Sequence, residues 1–120
     1  MGIMSFLRRK QDTWGYINVN RKYYFGRTEL MFATQDGYVG TVEWLLNHGA
    51  EVDARDGCGW TALIWAANKG HAGIVKFLLG HGADMNAKNE DGRTAVDIAI
   101  KAGGGHARSV ELFLLKKHAV

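Results

Sequence analysis

The chain has 120 residues, of which 47% are hydrophobic and 22% are charged, a balance typical of a globular domain with one moderate core. Its net charge of +3 and pI near 9.1 indicate a mild bias towards acidic partners, too weak to predict nucleic-acid binding by itself. The single cysteine, Cys58, excludes an internal disulfide framework, and no apolar run is long enough to span a bilayer.

Residues 1–22 precede the regular part of the chain, and we predict that they cap one of its ends. Residues 3–7 place apolar side chains on one helical face, and basic residues follow at 8–10. The alternative is a membrane anchor, because Met1-Gly2 begins like a myristoylation signal, although Ser5 stands one position too early for that signal. Whether Trp14 and Tyr16 pack on the following structure or are exposed stays open.

Three short helices are predicted to begin at evenly spaced threonines, which are Thr28, Thr61 and Thr94. A threonine hydroxyl can accept an unpaired N–H of the first helical turn. The predicted helices run over about 28–36, 61–69 and 94–102. The glycines expected to end them are Gly37, Gly70 and Gly103.

A second helix is predicted after each of these glycines, because apolar residues recur at i, i+3 and i+4. These helices run over about 40–48, 71–80 and 107–117. Gly49-Ala50 and Gly82-Ala83 then turn the chain outward into projecting fingers. The predicted core residues are Leu30, Ala33, Val42, Leu45, Leu46, Leu63, Ala66, Val75, Leu78, Leu79, Val96, Ala99, Val110 and Leu114, with Phe32, Trp44 and Trp65 added as buried aromatics and Leu112 on the apolar stripe of the last helix.

The stretch from Asp56 to Lys88 therefore recurs with a fixed period of about 33 residues, which indicates a repeat architecture. The central copy contains Gly59-Trp60-Thr61-Ala62-Leu63, Ala66-Ala67, Gly70-His71, Ile74-Val75, Leu78-Leu79 and Gly82-Ala83-Asp84-Met85-Asn86. Through these residues the chain resembles ankyrin repeat proteins over about Tyr23 to its C-terminus. The chain has no proline, so the family's Thr-Pro-Leu-His appears as Thr61-Ala62-Leu63-Ile64 and as Thr94-Ala95-Val96-Asp97.

The resemblance implies an all-α repeat fold, an ankyrin-type solenoid of antiparallel helix pairs joined by β-turn or hairpin fingers. We place an N-terminal capping half-repeat, with its basic segment, at residues 1–22 and three repeats at 23–55, 56–88 and 89–120, the last including the C-terminal cap. Ile17 to Asn20 reads as the finger of the shortened first unit. The third repeat departs from the pattern, because Gly103-Gly104-Gly105 inserts two residues between its helices.

No residue pattern predicts catalysis, a cofactor or a metal site. His71 and His106 occupy equivalent positions, and in the resembling family that histidine is structural and holds the loop by hydrogen bonds. His48 and His81 recur at the end of the second helix, where a cation suits the helix dipole. Cys58 has no partner at metal-ligand spacing and no neighbouring base. We therefore predict that the protein is not an enzyme.

The resemblance implies a concave binding surface, made of the finger tips and the exposed side of each first helix. Aromatic and arginine residues are the usual hot spots of interfaces. The candidate partner-binding residues are Tyr24, Phe25, Arg27, Arg55, Cys58, Trp60, Asn68, Lys69, Lys88, Arg93 and Lys101. In an alternative interpretation, Tyr24 and Phe25 fold back onto the N-terminal segment and are partly buried.

We predict a monomeric interaction module or scaffold that binds a partner protein bearing acidic and apolar groups, with no small-molecule substrate. The main alternative is electrostatic binding to nucleic acid or an anionic membrane through the basic N-terminal region. Self-association through the open N-terminal edge is a further alternative. A lone cysteine suits a reducing compartment, so we predict a cytoplasmic location, and a bacterial or viral protein delivered to a host cytosol fits the same pattern.

Overall fold

The structure is a computed structural model that describes residues 18–103, 110 and 112–117. Its elements in this part of the chain are a 3-10 turn at Tyr24–Gly26 and the helices α1 (Glu29–Asp36), α2 (Val39–Asn47), α3 (Ala62–Lys69), α4 (Ala72–Gly80) and α5 (Ala95–Ala102). Val110 and residues 112–117 are also helical. The predictions for the N-terminal cap, for Trp14 and Tyr16, for Gly104-Gly105 and for His106 lie outside the described residues.

Each of α1, α3 and α5 begins at a threonine that caps the helix, as predicted. The hydroxyls of Thr28, Thr61 and Thr94 accept the backbone N–H groups of Met31, Ile64 and Asp97 at 3.3, 3.3 and 3.4 Å, respectively. Removing such a cap costs about 1 kcal/mol of stability. Gly37 and Gly70 end α1 and α3 in the left-handed conformation, with φ angles of 75° and 73°.

The helices form two layers. Helices α1, α3 and α5 pack side by side in one layer, while α1 also packs on α2, α3 on α4, and α2 on α4. Two-residue connections join α1 to α2 and α3 to α4, and such short connections make the paired helices antiparallel. The described residues contain no β-strand, only an isolated bridge between Lys22 and Thr28. The predicted all-α repeat fold is confirmed.

The core lies between the two layers and consists of apolar side chains. The predicted core residues that are buried are Leu30, Ala33, Val42, Leu45, Leu46, Leu63, Ala66, Val75, Leu78, Ala99, Val110 and Leu114. Met31 and Ile64 are buried as well, although the core prediction omitted them. Helix α3 contacts α1, α4 and α5, so it buries more than a single stripe of side chains.

Six predictions of burial are wrong in degree. Leu79 and Val96 are only half-buried, and so are the aromatic side chains of Phe32, Trp44 and Trp65. Leu112, which belonged to the predicted apolar stripe of the last helix, is exposed. Sequence periodicity finds the side of a helix that faces the core, but it does not show where the packed layer ends and solvent begins.

Neighbouring fingers are joined by backbone hydrogen bonds near their tips. The N–H of Gly57 donates to the carbonyl of Phe25 at 2.7 Å, and at the equivalent position of the next repeat the N–H of Glu90 donates to the carbonyl of Cys58 at 3.1 Å. A Cβ atom at Gly59 would lie 3.0 Å from the Glu90 nitrogen. The close approach of the two fingers therefore requires glycine at this position.

A second set of bonds joins the fingers nearer to the helices. The side-chain oxygen of Asn20 accepts the N–H of Glu51 at 2.6 Å, and that of Asp53 accepts the N–H of Asp84 at 2.9 Å. The two bonds join equivalent positions of successive repeats, so Asn20 makes the contact expected of a finger that precedes the first full repeat. The repeat boundaries predicted from the sequence remain a proposal.

Candidate functional site

A groove opens at the start of α3, between the first finger, which carries Phe25, and the second finger, which carries Asp56. It has a volume of about 420 Å³ and mostly apolar walls. Its lining residues are Phe25, Arg27, Asp56, Gly57, Cys58, Trp60 and Trp65, and we call it the aromatic groove. The fold brings Phe25 and Trp60 to this one place although they belong to different repeats and are far apart in the chain.

Trp65 has three partners in the aromatic groove, which are Trp60, Arg27 and Asp56. Its ring centroid lies 4.4 Å from that of Trp60, and the guanidinium carbon of Arg27 lies 5.0 Å from the same ring. Its Nε1–H donates to Oδ2 of Asp56 at 3.1 Å. The prediction that Trp65 is an inter-repeat core residue is wrong, since these contacts keep it half-buried in the groove wall.

Asp56 organises both the second finger and the tryptophan beside it. Its Oδ1 accepts the backbone N–H groups of Cys58 and Trp60, each at 2.9 Å, while Oδ2 holds Trp65. The finger closes with a further bond from the N–H of Asp56 to the carbonyl of Trp60 at 2.9 Å. One carboxylate therefore sets the relative positions of the finger tip and the Trp65 ring.

Tyr24 and Phe25 stand exposed at the tip of the first finger. Their exposed fractions are 80% and 66%, and their ring centroids are 4.3 Å apart. The alternative in which both fold back onto the N-terminal segment and are partly buried is therefore wrong, since both are exposed. Phe25 has a φ of 61°, a conformation that is unfavourable for any residue with a side chain. Because the neighbouring finger bonds its carbonyl, the stack holds Phe25 in this conformation at the groove's edge.

A second groove, about 310 Å³ in volume, lies one repeat further along the same surface. Its lining residues are Trp60, Asn68, Asn89, Asp91, Arg93, Ile98, Lys101 and Ala102, and we call it the polar groove. Trp60 lines both grooves and stands between them. The two grooves are related by the repeat period. Trp60 occupies in the polar groove the position that Arg27 occupies in the aromatic groove, and Arg93 occupies the position of Trp60.

Asn89 takes the place of Asp56 in the polar groove. Its Oδ1 accepts the N–H groups of Asp91 and Arg93 at 2.9 and 3.0 Å, which repeats the turn that Asp56 makes. Its Nδ2 is buried and has no hydrogen-bond partner among the described residues. The residue that corresponds to Trp65 here is Ile98, which has no polar atom in its side chain.

A family model described as Ankyrin repeats (3 copies) matches residues 30–120, which is about three quarters of the chain. The chain belongs to the ankyrin repeat family. Members of this family generally mediate protein–protein interactions and are generally non-catalytic. No curated protein matches this ankyrin repeat chain.

Four predicted partner-binding residues of this ankyrin repeat protein line neither groove. Arg55 donates from its guanidinium group to the carbonyls of Gly59, at 3.3 Å, and of Lys88, so it ties the second finger to the third. Lys69 and Lys88 are exposed and have no described contact with the lining residues. The fourth, Tyr24, lies against the ring of Phe25 beside the aromatic groove, and the remaining candidates line a groove.

Electrostatic binding to nucleic acid or an anionic membrane, the main alternative, would use the basic residues of the first finger. In the structure these residues make contacts within the protein. The guanidinium of Arg21 lies 5.4 Å from the Tyr23 ring centroid, and Arg27 packs over Trp65. Lys22 donates to the carbonyl of Arg55 at 2.9 Å. The other basic residues of that alternative, at 8–10, lie outside the described residues.

The described histidines hold the repeat together. Nε2 of His71 contacts the carbonyl oxygen of Gln35 at 3.3 Å, which confirms the structural role expected for this residue. His81 bonds through Nδ1 to the carbonyl of Phe77 at 2.9 Å and caps the end of α4. Within the residues that the structure describes, no His, Cys, Asp or Glu side chains gather closely enough to hold a metal ion. None of the described helices is long and apolar enough to cross a lipid bilayer.

Sequence reasoning missed Asp56, Trp65 and Asn89 as site residues. The signal that points to them is a paired change at two positions of the repeat: Asp56 with Trp65 in one repeat becomes Asn89 with Ile98 in the next. A hydrogen-bonded pair in the second repeat is thus replaced by a pair that cannot form the bond. The change is visible in the sequence, but its meaning requires knowing that the two positions touch.

Proposed function

We propose that this ankyrin repeat protein is a non-catalytic interaction module that binds a segment of a partner protein along the aromatic and polar grooves. The observation that carries the proposal is the open aromatic groove, in which Trp60 and Trp65 are half-buried and already held in position by Asp56. Rings that are ordered before binding lose little conformational entropy when a partner docks.

The composition of the grooves supports a partner that carries both apolar and acidic groups. Phe25, Trp60 and Trp65 offer aromatic surface to an apolar side chain, and Arg93 and Lys101 offer positive charge. We further propose that the module acts as a monomer in a reducing, cytoplasmic compartment, a location that suits the free, exposed thiol of Cys58.

The test is the double substitution of Trp60 and Arg93 by Ala. We expect partners captured by the unaltered chain from its native source to bind the double variant at least about 30-fold more weakly, the loss of about 2 kcal/mol typical of an interface hot spot. The matched control replaces Tyr38, an aromatic residue that is 57% exposed and lines neither groove, together with Lys117, which is also exposed.

Cys58 provides an independent readout of where the partner sits. It is the only cysteine of the chain, it is exposed, and it lines the aromatic groove. A bound partner is expected to slow alkylation of this thiol in proportion to its occupancy. Unchanged capture by a folded Trp60 and Arg93 double variant, with Cys58 alkylated equally fast in the complex, would show that the partner binds elsewhere.

A further inference from the structure

The two grooves are built on equivalent positions but differ in chemistry. In the aromatic groove, Asp56 accepts the indole N–H of Trp65, and Arg27 packs over the same ring, although its Nε is buried without a hydrogen-bond partner among the described residues. In the polar groove, Ile98 replaces that tryptophan and Asn89 replaces the aspartate. The first groove has mostly apolar walls and one acidic residue for its one cation, so it suits an apolar group, while the second groove has more polar walls and a surplus of cations.

The polar groove has a surplus of positive charge. Arg93 and Lys101 line it, against a single acidic lining residue, Asp91. Neither cation forms an ion pair within the described part of the chain. Such unpaired cations complement a carboxylate, and a guanidinium group can bind one with two parallel hydrogen bonds.

Asn89 adds a buried donor to this groove. The residue is only 6% exposed, and its Nδ2 has no partner in the part of the chain that the structure describes. Its orientation is fixed, because Oδ1 must face the two backbone N–H groups that it accepts. The nitrogen is covered in the unbound protein, so an incoming oxygen reaches it only when a neighbouring side chain moves aside.

From these observations we infer that the partner presents an extended segment with two anchors, an apolar side chain in the aromatic groove and a carboxylate in the polar groove. This inference rests on the proposed function. Helices packed side by side, as α3 and α5 are, lie about 8–10 Å apart. An extended chain advances about 3.3 Å per residue, so the two anchors stand about two to four residues apart.

The probe for this inference is a library of random linear peptides selected on the full chain. The expected result is enrichment of peptides with a large apolar residue and an Asp or Glu about two to four positions from it. In a synthetic copy of an enriched peptide, replacing the acidic residue by its amide is expected to weaken binding about tenfold or more. A second synthetic copy of the peptide carries an amidated C-terminus. It shows whether the carboxylate that binds belongs to a side chain or to the C-terminus.

Two variants of the protein test the same contact from the other side. Asn89→Ser removes the amide donor without changing the net charge, and its hydroxyl can still accept a backbone N–H of the turn. Arg93→Gln removes the guanidinium charge, and it provides the test of the polar groove if Asn89→Ser does not fold. Each is expected to weaken the acidic peptide about tenfold while leaving its amide-substituted copy nearly unchanged, and circular dichroism checks that each variant is folded.

The outcomes separate this inference from the proposed function. Peptides that depend on Trp60 but bind equally well with and without their carboxylate overturn the inference and leave the proposed function standing. A library that enriches no peptide, or peptides indifferent to Trp60→Ala, overturns both. A carboxylate effect that survives both Asn89→Ser and Arg93→Gln overturns the assignment to the polar groove.

Discussion

At the scale of single residues, Asp56 and Trp65 show how a side chain can join the scaffold to the site. The carboxylate accepts two backbone N–H groups of the finger and the indole N–H of the helix. Removing one acceptor therefore disturbs the finger tip and the groove wall together. The equivalent pair in the next repeat, Asn89 and Ile98, has no such bond and provides a natural comparison.

Asp56→Asn is expected to lower the free energy of unfolding by about 1–3 kcal/mol, because an amide N–H₂ would then face the Trp65 N–H without an acceptor between them. Urea unfolding followed by circular dichroism measures the change. In a Trp65→Phe background, Asp56→Asn should lower the free energy of unfolding clearly less, because phenylalanine has no indole N–H to face the new amide. Equal costs in the two backgrounds would mean that the 3.1 Å bond contributes little.

Tyr23 makes a pH-dependent contact next to the first finger. Burial, a hydrogen bond to Glu29 and the negative charge of Glu29 together raise the pKa of Tyr23 from 10.0 to about 12, while Arg21 acts in the opposite direction. Folding therefore favours the neutral phenol. The contribution of Tyr23 to the free energy of unfolding is fully present below pH 10.0 and is lost as the pH rises towards about 12.

Glu29→Gln is expected to move the pKa of Tyr23 down towards 10.0, because it removes the carboxylate charge that disfavours the phenolate. Titration of ¹³C-labelled tyrosine rings by NMR measures this pKa, and Tyr23→Phe assigns the signal. The exposed Glu43 on α2 offers a matched control, whose amide variant should leave Tyr23 unchanged. A pKa near 10.0 in the unaltered chain would contradict the contact with Glu29.

At the scale of elements, the helices depend on their neighbours. Each of α1 to α5 has eight or nine residues, and isolated helices of that length are barely stable in water. Threonine caps and left-handed glycines mark where α1 and α3 begin and end, but packing keeps them formed. The fingers are equally dependent, since they have no strand ladder among the described residues and rely on bonds to the next finger.

Gly59→Ala is expected to destabilise the protein by more than about 1 kcal/mol, because φ is 77° there and the new methyl would lie 3.0 Å from the Glu90 nitrogen. Gly73→Ala provides the opposite case within a helix, where the methyl meets nothing within 4 Å. That variant should be stabilised by about 0.5–1 kcal/mol. Thermal unfolding of both variants tests the pair, and a neutral Gly59→Ala would contradict the close contact between fingers.

At the scale of the whole molecule, stability comes from stacking one helix pair on the next. Leu78 is fully buried in the shared core, whereas its neighbour Leu79 is only half-buried. No repeat can bury both faces of its helix pair without neighbours. A cavity in the central repeat therefore weakens the interfaces on both sides of it.

Leu78→Ala is expected to cost about 2–5 kcal/mol, a large fraction of the roughly 5–15 kcal/mol that holds a domain of this size folded. The matched Leu79→Ala variant should cost distinctly less, because a half-buried side chain leaves a smaller cavity. Urea titration of both variants under the same conditions measures the difference. The assignment of Leu78 to the shared core fails if the two variants unfold at the same urea concentration.

Much of the fold could be predicted because its signals are local or periodic. Thr61 and Gly70 mark the ends of a helix by side-chain chemistry and backbone freedom alone, and the repeat period placed the same elements in the other repeats. The candidate site could be predicted only in part. Trp65 aligns with Phe32 and Ile98, which suggested a shared core position, whereas its bond to Asp56 keeps it in the groove.

The sequence by itself determined the family, the helix positions and most of the buried residues, because each depends on spacing along one chain. Only the tertiary structure decided which side chains meet between fingers. It grouped Phe25, Trp60 and Trp65 in one groove, committed Arg55 to a structural bond, and left the Nδ2 of Asn89 buried without a described partner. These outcomes depend on the distances between side chains of neighbouring repeats, and the spacing of residues along the sequence does not give those distances.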